Sequence, residues 1–125
     1  MTNSDKPLKW VGAARKEVQA MPEDARHLAG RDLRRVQRGM MPIDWKPMEQ
    51  VGPGSVEIRI RTSKGGTVHH RVMYVAKFPE AVYVLHAFEK KTARTSPHNI
   101  EVAARRYREL LKWRQSLNNP GKDPR

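Results

Sequence analysis

The sequence predicts an α+β domain in which a small antiparallel sheet follows two helices and is closed by one long helix. Three observations carry this. Apolar residues recur at helical spacing from Ala25 to Val36, residues from Val56 to Thr62 alternate strictly and lead through a glycine turn into a second β-rich run, and Ser96-Pro97 opens a long amphipathic stretch. At 125 residues the chain has the size of one domain, and burying roughly two-thirds of its unfolded surface suffices for an independent core.

Leu8 to Val11 reads as a short extended piece. The Ala-rich segment Ala13 to Ala20 favours a brief helix, which Pro22 interrupts. Pro22 suits the first turn of a second helix, with Glu23 and Asp24 near its positive end and Ala25, Leu28, Ala29, Leu33 and Val36 on its apolar face. Gly39 is a natural stop. Prolines at 42, 47 and 53 and two glycines mark 40–54 as an irregular connection.

Val56, Ile58 and Ile60 then share one strand face, and Glu57, Arg59 and Arg61 share the other. Lys64, Gly65 and Gly66 make a turn, and Val68 to Val75 completes a hairpin. After a second turn at Phe78 to Glu80, the nearly continuous apolar run Ala81 to Phe88 reads as a central strand, giving a three-strand meander. Ser96 is the cap and Pro97 the first residue of the terminal helix. Its apolar stripe is read as Ile100, Ala103, Ala104, Tyr107 and Leu111, with Arg105, Arg106, Arg108 and Lys112 on the remainder. Residues 1–117 are expected to form the domain and 118–125 a disordered tail.

Charge narrows the function classes. The chain has 25 Lys+Arg against 13 Asp+Glu, a formal net charge of +12. That potential attracts a polyanion without saying which one, and nucleic acid is the favoured reading. With no cysteine there is no disulfide framework or thiolate metal site. Together with the lack of a signal-like start or a membrane-length apolar run, this points to the cytosol and no membrane.

Several residues could carry chemistry. Arg59 and Arg61 present two guanidinium groups on one strand face, and Arg71 on the next strand can lie opposite them. Such a patch suits a phosphodiester, because planar permanent cations match phosphate oxygens and charge building in a transition state. The alternative is a solvated face neutralised by Glu57 and its neighbours. His86, inside an apolar strand, can move a proton or serve as a hydrogen-bonded structural residue. Lys90 and Lys91 follow that strand at a place where side chains can reach a substrate, or form a solvated turn. Lys64 and Arg94 join Arg61 as candidate RNA contacts. Tyr74 reads as a core aromatic with its hydroxyl toward the surface. His69 and His70 are adjacent and face opposite ways, so they are poor joint metal ligands. No metal or other cofactor is expected. Gly65-Gly66 is a hairpin turn and not a phosphate loop.

The order of these elements resembles the HigB-like, phage-associated branch of the RelE/ParE superfamily of toxins. The residues that carry the resemblance are Glu57-Ile58-Arg59, Arg71-Val72-Met73-Tyr74, and Leu85-His86-Ala87-Phe88-Glu89-Lys90-Lys91-Thr92, followed by Ser96-Pro97 and an Ala- and Arg-rich helix. The resemblance implies a RelE-like twisted, mainly antiparallel sheet with two N-terminal helices and a C-terminal helix. It implies a toxin of a type II toxin–antitoxin system, held inactive by an antitoxin with a helix-turn-helix domain. The implied activity is metal-independent mRNA cleavage on the ribosome, with Arg59, Arg71, Lys90 and Lys91 in the matched motifs. A ParE-like inhibitor of DNA gyrase and a non-catalytic RNA-binding protein are the alternatives. There is no counterpart of the C-terminal tyrosine of some RelE-like members, which leaves the general base unassigned. Arg59, Arg71 and Lys91 are expected to point away from the core, so that alanine at each changes stability by no more than about 0.5 kcal/mol.

Overall fold

A computed structural model describes residues 5–118. Its elements run β1 (Leu8–Trp10), α1 (Ala14–Gln19), α2 (Glu23–Gln37), β2 (Trp45–Pro47), β3 (Ser55–Thr62), β4 (Val68–Val75), β5 (Val82–Lys90) and α3 (Pro97–Asn118). All five strands form one open sheet in the order β1-β5-β4-β3-β2, antiparallel except where β1 runs parallel to β5. The expected meander is the centre of this α+β, RelE-like sheet. The tail expected at 118–125 lies outside the described residues, except for Asn118, which ends α3.

Both faces of the sheet are covered. On one, Ala25, Ala29, Leu33 and Val36 of α2 pack with Ile58, Ile60, Val72, Tyr74, Val82 and Val84. On the other, Ala103, Tyr107 and Leu110 of α3 pack with Met73, Val75, Tyr83 and Leu85, and Met48 and Val51 join from the connection before β3. Two covered faces explain why β5 reads as an unbroken apolar run. Gly52 is where the connection meets α3: a Cβ there would come within 2.8 Å of the Tyr107 ring, whose hydroxyl donates to the Pro53 carbonyl at 2.7 Å.

Three details differ from expectation. First, the connection contains β2, a three-residue edge strand paired with Val56 to Ile58. A proline can stand in it because an outer strand leaves one side unpaired. Second, the buried stripe of α3 is shifted in phase: Leu110 is buried, Leu111 is exposed, and Arg106 points inward. Third, β5 lies between β1 and β4, and its pairing with β4 slips. Tyr74 faces Val84 and Met73 faces His86, which leaves Leu85 unpaired in a bulge. By simple alternation His86, Phe88 and Lys90 would share the α2 side with Val82 and Val84. The bulge turns them to the α3 side.

Helix ends follow the sequence. Gly39 terminates α2 in the left-handed region at φ 87°. The Ser96 hydroxyl accepts the Asn99 amide at 3.2 Å, the side-chain cap that the sequence predicts.

Candidate functional site

α3 covers only part of its face of the sheet and leaves the far ends of β3, β4 and β5 open. Three rows of cross-strand neighbours lie there. Lys46, Glu57, Met73 and His86 form the first row, Arg59, Arg71 and Phe88 the second, and Arg61, His69 and Lys90 the third. Directly opposed residues share a face, so Lys46, Arg59, Arg61, Arg71, His69 and Lys90 gather on one surface. The expected convergence of Arg71 on the Arg59 and Arg61 region is a direct pairing of Arg71 with Arg59.

Glu57 lies at the base of this cluster and is fully buried. Thr95, in the loop after β5, donates to its Oε2 at 2.8 Å. Its Oε1 lies 3.5 Å from Arg71 Nε and 3.9 Å from Lys46 Nζ. Arg71 is itself only 7% exposed, which corrects the expectation that it points away from the core. β4 is the central strand, so a cation on it is walled in on both sides and needs a carboxylate beneath. Burial lowers the Arg71 pKa, the Glu57 charge opposes that, and Arg59 adds to the lowering; the guanidinium nonetheless stays charged.

The donors of this cluster are not all matched. Arg71 Nη1 donates to the His70 carbonyl at 3.0 Å, but Arg71 Nε and Arg59 Nε are buried with no hydrogen-bond acceptor among the described residues. Arg59 otherwise faces Asp44 at 3.8 Å. Lys90 donates to the Ala93 carbonyl at 2.8 Å. Its pKa is lowered, first by partial desolvation and then by the charge of Arg71, against the opposing pull of Glu57.

The other sequence-derived candidates stand apart. His86 is 6% exposed and both its ring nitrogens are engaged, Nδ1 with Glu17 at 2.9 Å and Nε2 with Asn99 at 2.7 Å. Its ring stacks on Phe88. Arg106 grips the same Glu17 through two bonds of 2.7 and 3.0 Å. Burial raises the Glu17 pKa, but the hydrogen bonds from His86 and Arg106 outweigh it and hold it at about 2. His86 is thus the centre of a tie between α1, β5 and α3. Lys91 and Arg94 are exposed beyond the end of β5. Lys64 lines a hollow with Glu23, Asp24 and His27 at the start of α2, across the sheet from Arg59 and Arg71. Sequence reasoning missed Lys46, because β2 carries no readable strand pattern, and it took Glu57 for a solvated neutraliser. His70, opposite in facing to His69 as alternation requires, is buried beside the α2 layer.

Among the described residues no helix is long and apolar enough to cross a membrane. No curated protein matches the sequence. A family model described as "Phage derived protein Gp49-like (DUF891)" matches residues 16–108, which span every residue of the basic surface. That family consists of RelE- and toxin-like proteins associated with toxin–antitoxin systems, in agreement with the sheet and its helices. The match covers most of the chain, which therefore belongs to the Gp49-like family of phage-derived proteins.

Proposed function

We propose that this protein is the toxin of a type II toxin–antitoxin pair and that it cleaves mRNA on the ribosome without a metal ion, as HigB-like members do. The observation that carries this reading is the pair of directly opposed arginines, Arg59 and Arg71, which share one open end of the sheet with Lys46, Arg61 and Lys90. Among the described residues, only the buried Glu57 and the exposed Asp44 are paired with this cluster. A phosphate, with several acceptor oxygens and negative charge, suits the remaining positive charge.

In the reaction the 2′-hydroxyl of one nucleotide attacks its own 3′-phosphate. The O2′–P bond forms and the P–O5′ bond breaks, leaving a 2′,3′-cyclic phosphate and a free 5′-hydroxyl. The 2′-hydroxyl proton leaves to a base, and the departing O5′ gains one. Arg59 and Arg71, with Arg61 and Lys46 at the rim, hold the phosphate and offset its growing charge. We assign one of these proton transfers to Lys90, whose pKa is lowered. Lys91 and Arg94 guide the flanking strand. His86 acts through position, by fixing β5, and takes no proton from substrate.

Induction of the lone chain in bacteria, with mapping of transcript ends and of plasmid supercoiling, tests the reading. New mRNA ends with normal supercoiling are expected. Altered supercoiling with intact transcripts would instead establish a gyrase inhibitor. Cleavage of free RNA by the purified chain at high enzyme concentration, without ribosomes, whose own integrity needs magnesium, is expected to persist in EDTA at unchanged rate, since guanidinium and ammonium groups supply the positive charge. Loss in EDTA with rescue by a divalent ion in a ribosome-free assay would contradict it.

A further inference from the structure

The outer surface of α2 carries a second concentration of arginine that the proposed cleavage does not use. Arg26, Arg31, Arg34 and Arg38 are exposed there with His27, and with Gly30 and Arg35 they line a hollow of about 520 Å³. Nothing stands within 4 Å of where a Gly30 Cβ would be. The hollow is therefore open to a partner.

Helix stability does not require this arrangement. Arg34 and Arg35 in the last turn favour the negative end of the helix, and Arg35 also donates to the Met41 carbonyl at 2.9 Å. That leaves Arg26 unexplained. Arg31 meets Asp32 at 3.3 Å and Arg38 meets Asp5 at 3.7 Å, while Arg26 and Arg34 have no ion pair among the described residues. Arg31 with Arg35 and Arg34 with Arg38 are like charges at four-residue spacing, which oppose the helix.

The lining identifies the partner's chemistry. It contains no hydrophobic side chain, whereas protein interfaces are organised around apolar or aromatic anchors in desolvated pockets. It contains no Phe, Tyr or Trp on which unpaired bases could stack, as single-strand binders use. All its permanent cations are arginines, which match phosphate oxygens through planar paired donors. Double-helical RNA is recognised largely through its backbone and shape.

From this we infer that the outer face of α2 binds the phosphate backbone of double-helical RNA. The choice of RNA over DNA rests on the proposed function; the phosphate chemistry does not. α2 covers the sheet face opposite Arg59 and Arg71, so the two basic surfaces look away from each other. An mRNA strand at the cleavage surface and an RNA duplex on α2 are then separate ligands. The α2 surface anchors the protein to a folded RNA while the other surface acts.

The test uses the full chain and an uncleavable 2′-O-methyl RNA hairpin, with a DNA hairpin of the same sequence in parallel. R26Q/R34Q/R38Q is expected to weaken hairpin binding by about tenfold or more near physiological salt. It should flatten the slope of log affinity against log salt by roughly 0.9 for each duplex phosphate that the variant no longer neutralises. Its melting temperature should match wild type, because the three side chains are exposed. R105Q/K112Q, exposed on α3 over the opposite face of the sheet, should stay within about twofold of wild type, a range set by non-contacting charges. Unchanged affinity and slope in the α2 variant would overturn the inference. So would binding of the DNA hairpin alone, or a variant that keeps the RNA hairpin and loses only its antitoxin. mRNA cleavage by the same preparations separates the two readings. A chain that binds the hairpin through α2 and cuts nothing upholds this inference and removes the proposed function. A chain that cuts mRNA while R26Q/R34Q/R38Q binds the hairpin normally does the reverse.

Discussion

Arg59 and Arg71 face each other on adjacent strands but stand in different surroundings, so the same substitution separates stability from chemistry. Arg59 is 40% exposed in its side chain and faces an exposed Asp44. Arg59→Ala is expected to change stability by about 0.5 kcal/mol or less, while single-turnover cleavage on saturated ribosomes falls about a hundred- to a thousand-fold. Arg71→Ala takes the nearer cation from a buried carboxylate and should cost about 3 kcal/mol. Melting temperatures and rates for the pair check both statements, and a wild-type rate in folded Arg59→Ala would remove this surface from the active site. Glu57 offers a third test. Glu57→Gln preserves its shape and the bond from Thr95, but removes the negative charge that holds the Lys90 pKa up against desolvation and Arg71. The limb of the pH–rate profile that reports Lys90 is expected to move to lower pH. An unmoved limb with a reduced rate would mean that Lys90 is not the titrating group.

At the scale of elements, Glu17 is the pin that joins the N-terminal helices to the rest. It accepts two bonds from Arg106 on α3, one from His86, and the backbone amide of Ala87 at 3.2 Å, on the stretch of β5 that β1 does not reach. Its folded-state pKa of about 2 lies below the ordinary glutamate value. The stabilisation is therefore full above pH ~4.3, and is lost as pH falls toward the folded value. Glu17→Gln is expected to cost about 2–3 kcal/mol at pH 7, with the gap to wild type closing between pH ~4 and ~2. Denaturant titrations at pH 7 and pH 3 measure it, and an equal gap at both would show that the charge does not matter. The same region shows what was legible in the sequence. Strand alternation placed Arg59 and Arg61 together, and Ser96-Pro97 placed the start of α3, because both are local patterns. The β5 bulge is set by packing against two neighbouring strands. No residue type announces it, yet it decides that Phe88 and Lys90 reach the basic surface and that His86 turns toward α3. β2 and the phase of α3 were hidden for a like reason: a three-residue edge strand has no period, and Arg106 is drawn inward by a carboxylate 89 positions away.

Among the described residues, two arginine-rich surfaces lie on opposite sides of the sheet, and an antitoxin that silences the proposed activity would meet one of them. On the proposed function, the surface of Arg59 and Arg71 is the one to be blocked. Its accessible cations, Arg61, the half-buried Lys90 and the tip of Arg59, would accept carboxylates from a partner segment laid across the open ends of β3 to β5. Glu57 is too deeply buried to supply them. Such contacts are rim-like and salt-sensitive, unlike the buried anchors that give a complex its lifetime. The antitoxin, which members of this family generally have, is therefore expected to co-purify with this chain when both are expressed from adjacent reading frames. Its affinity should fall as salt is raised from about 0.05 to 0.5 M, where the Debye length drops well below 10 Å. R59A/R61A should weaken the complex and reduce its salt dependence together, whereas R26Q/R34Q/R38Q should leave both unchanged. Titration calorimetry across that salt range reads both quantities. If the α2 variant loses the antitoxin and R59A/R61A keeps it, inhibition works from the far side of the sheet, and the blocked-surface account of the proposed toxin has to be abandoned.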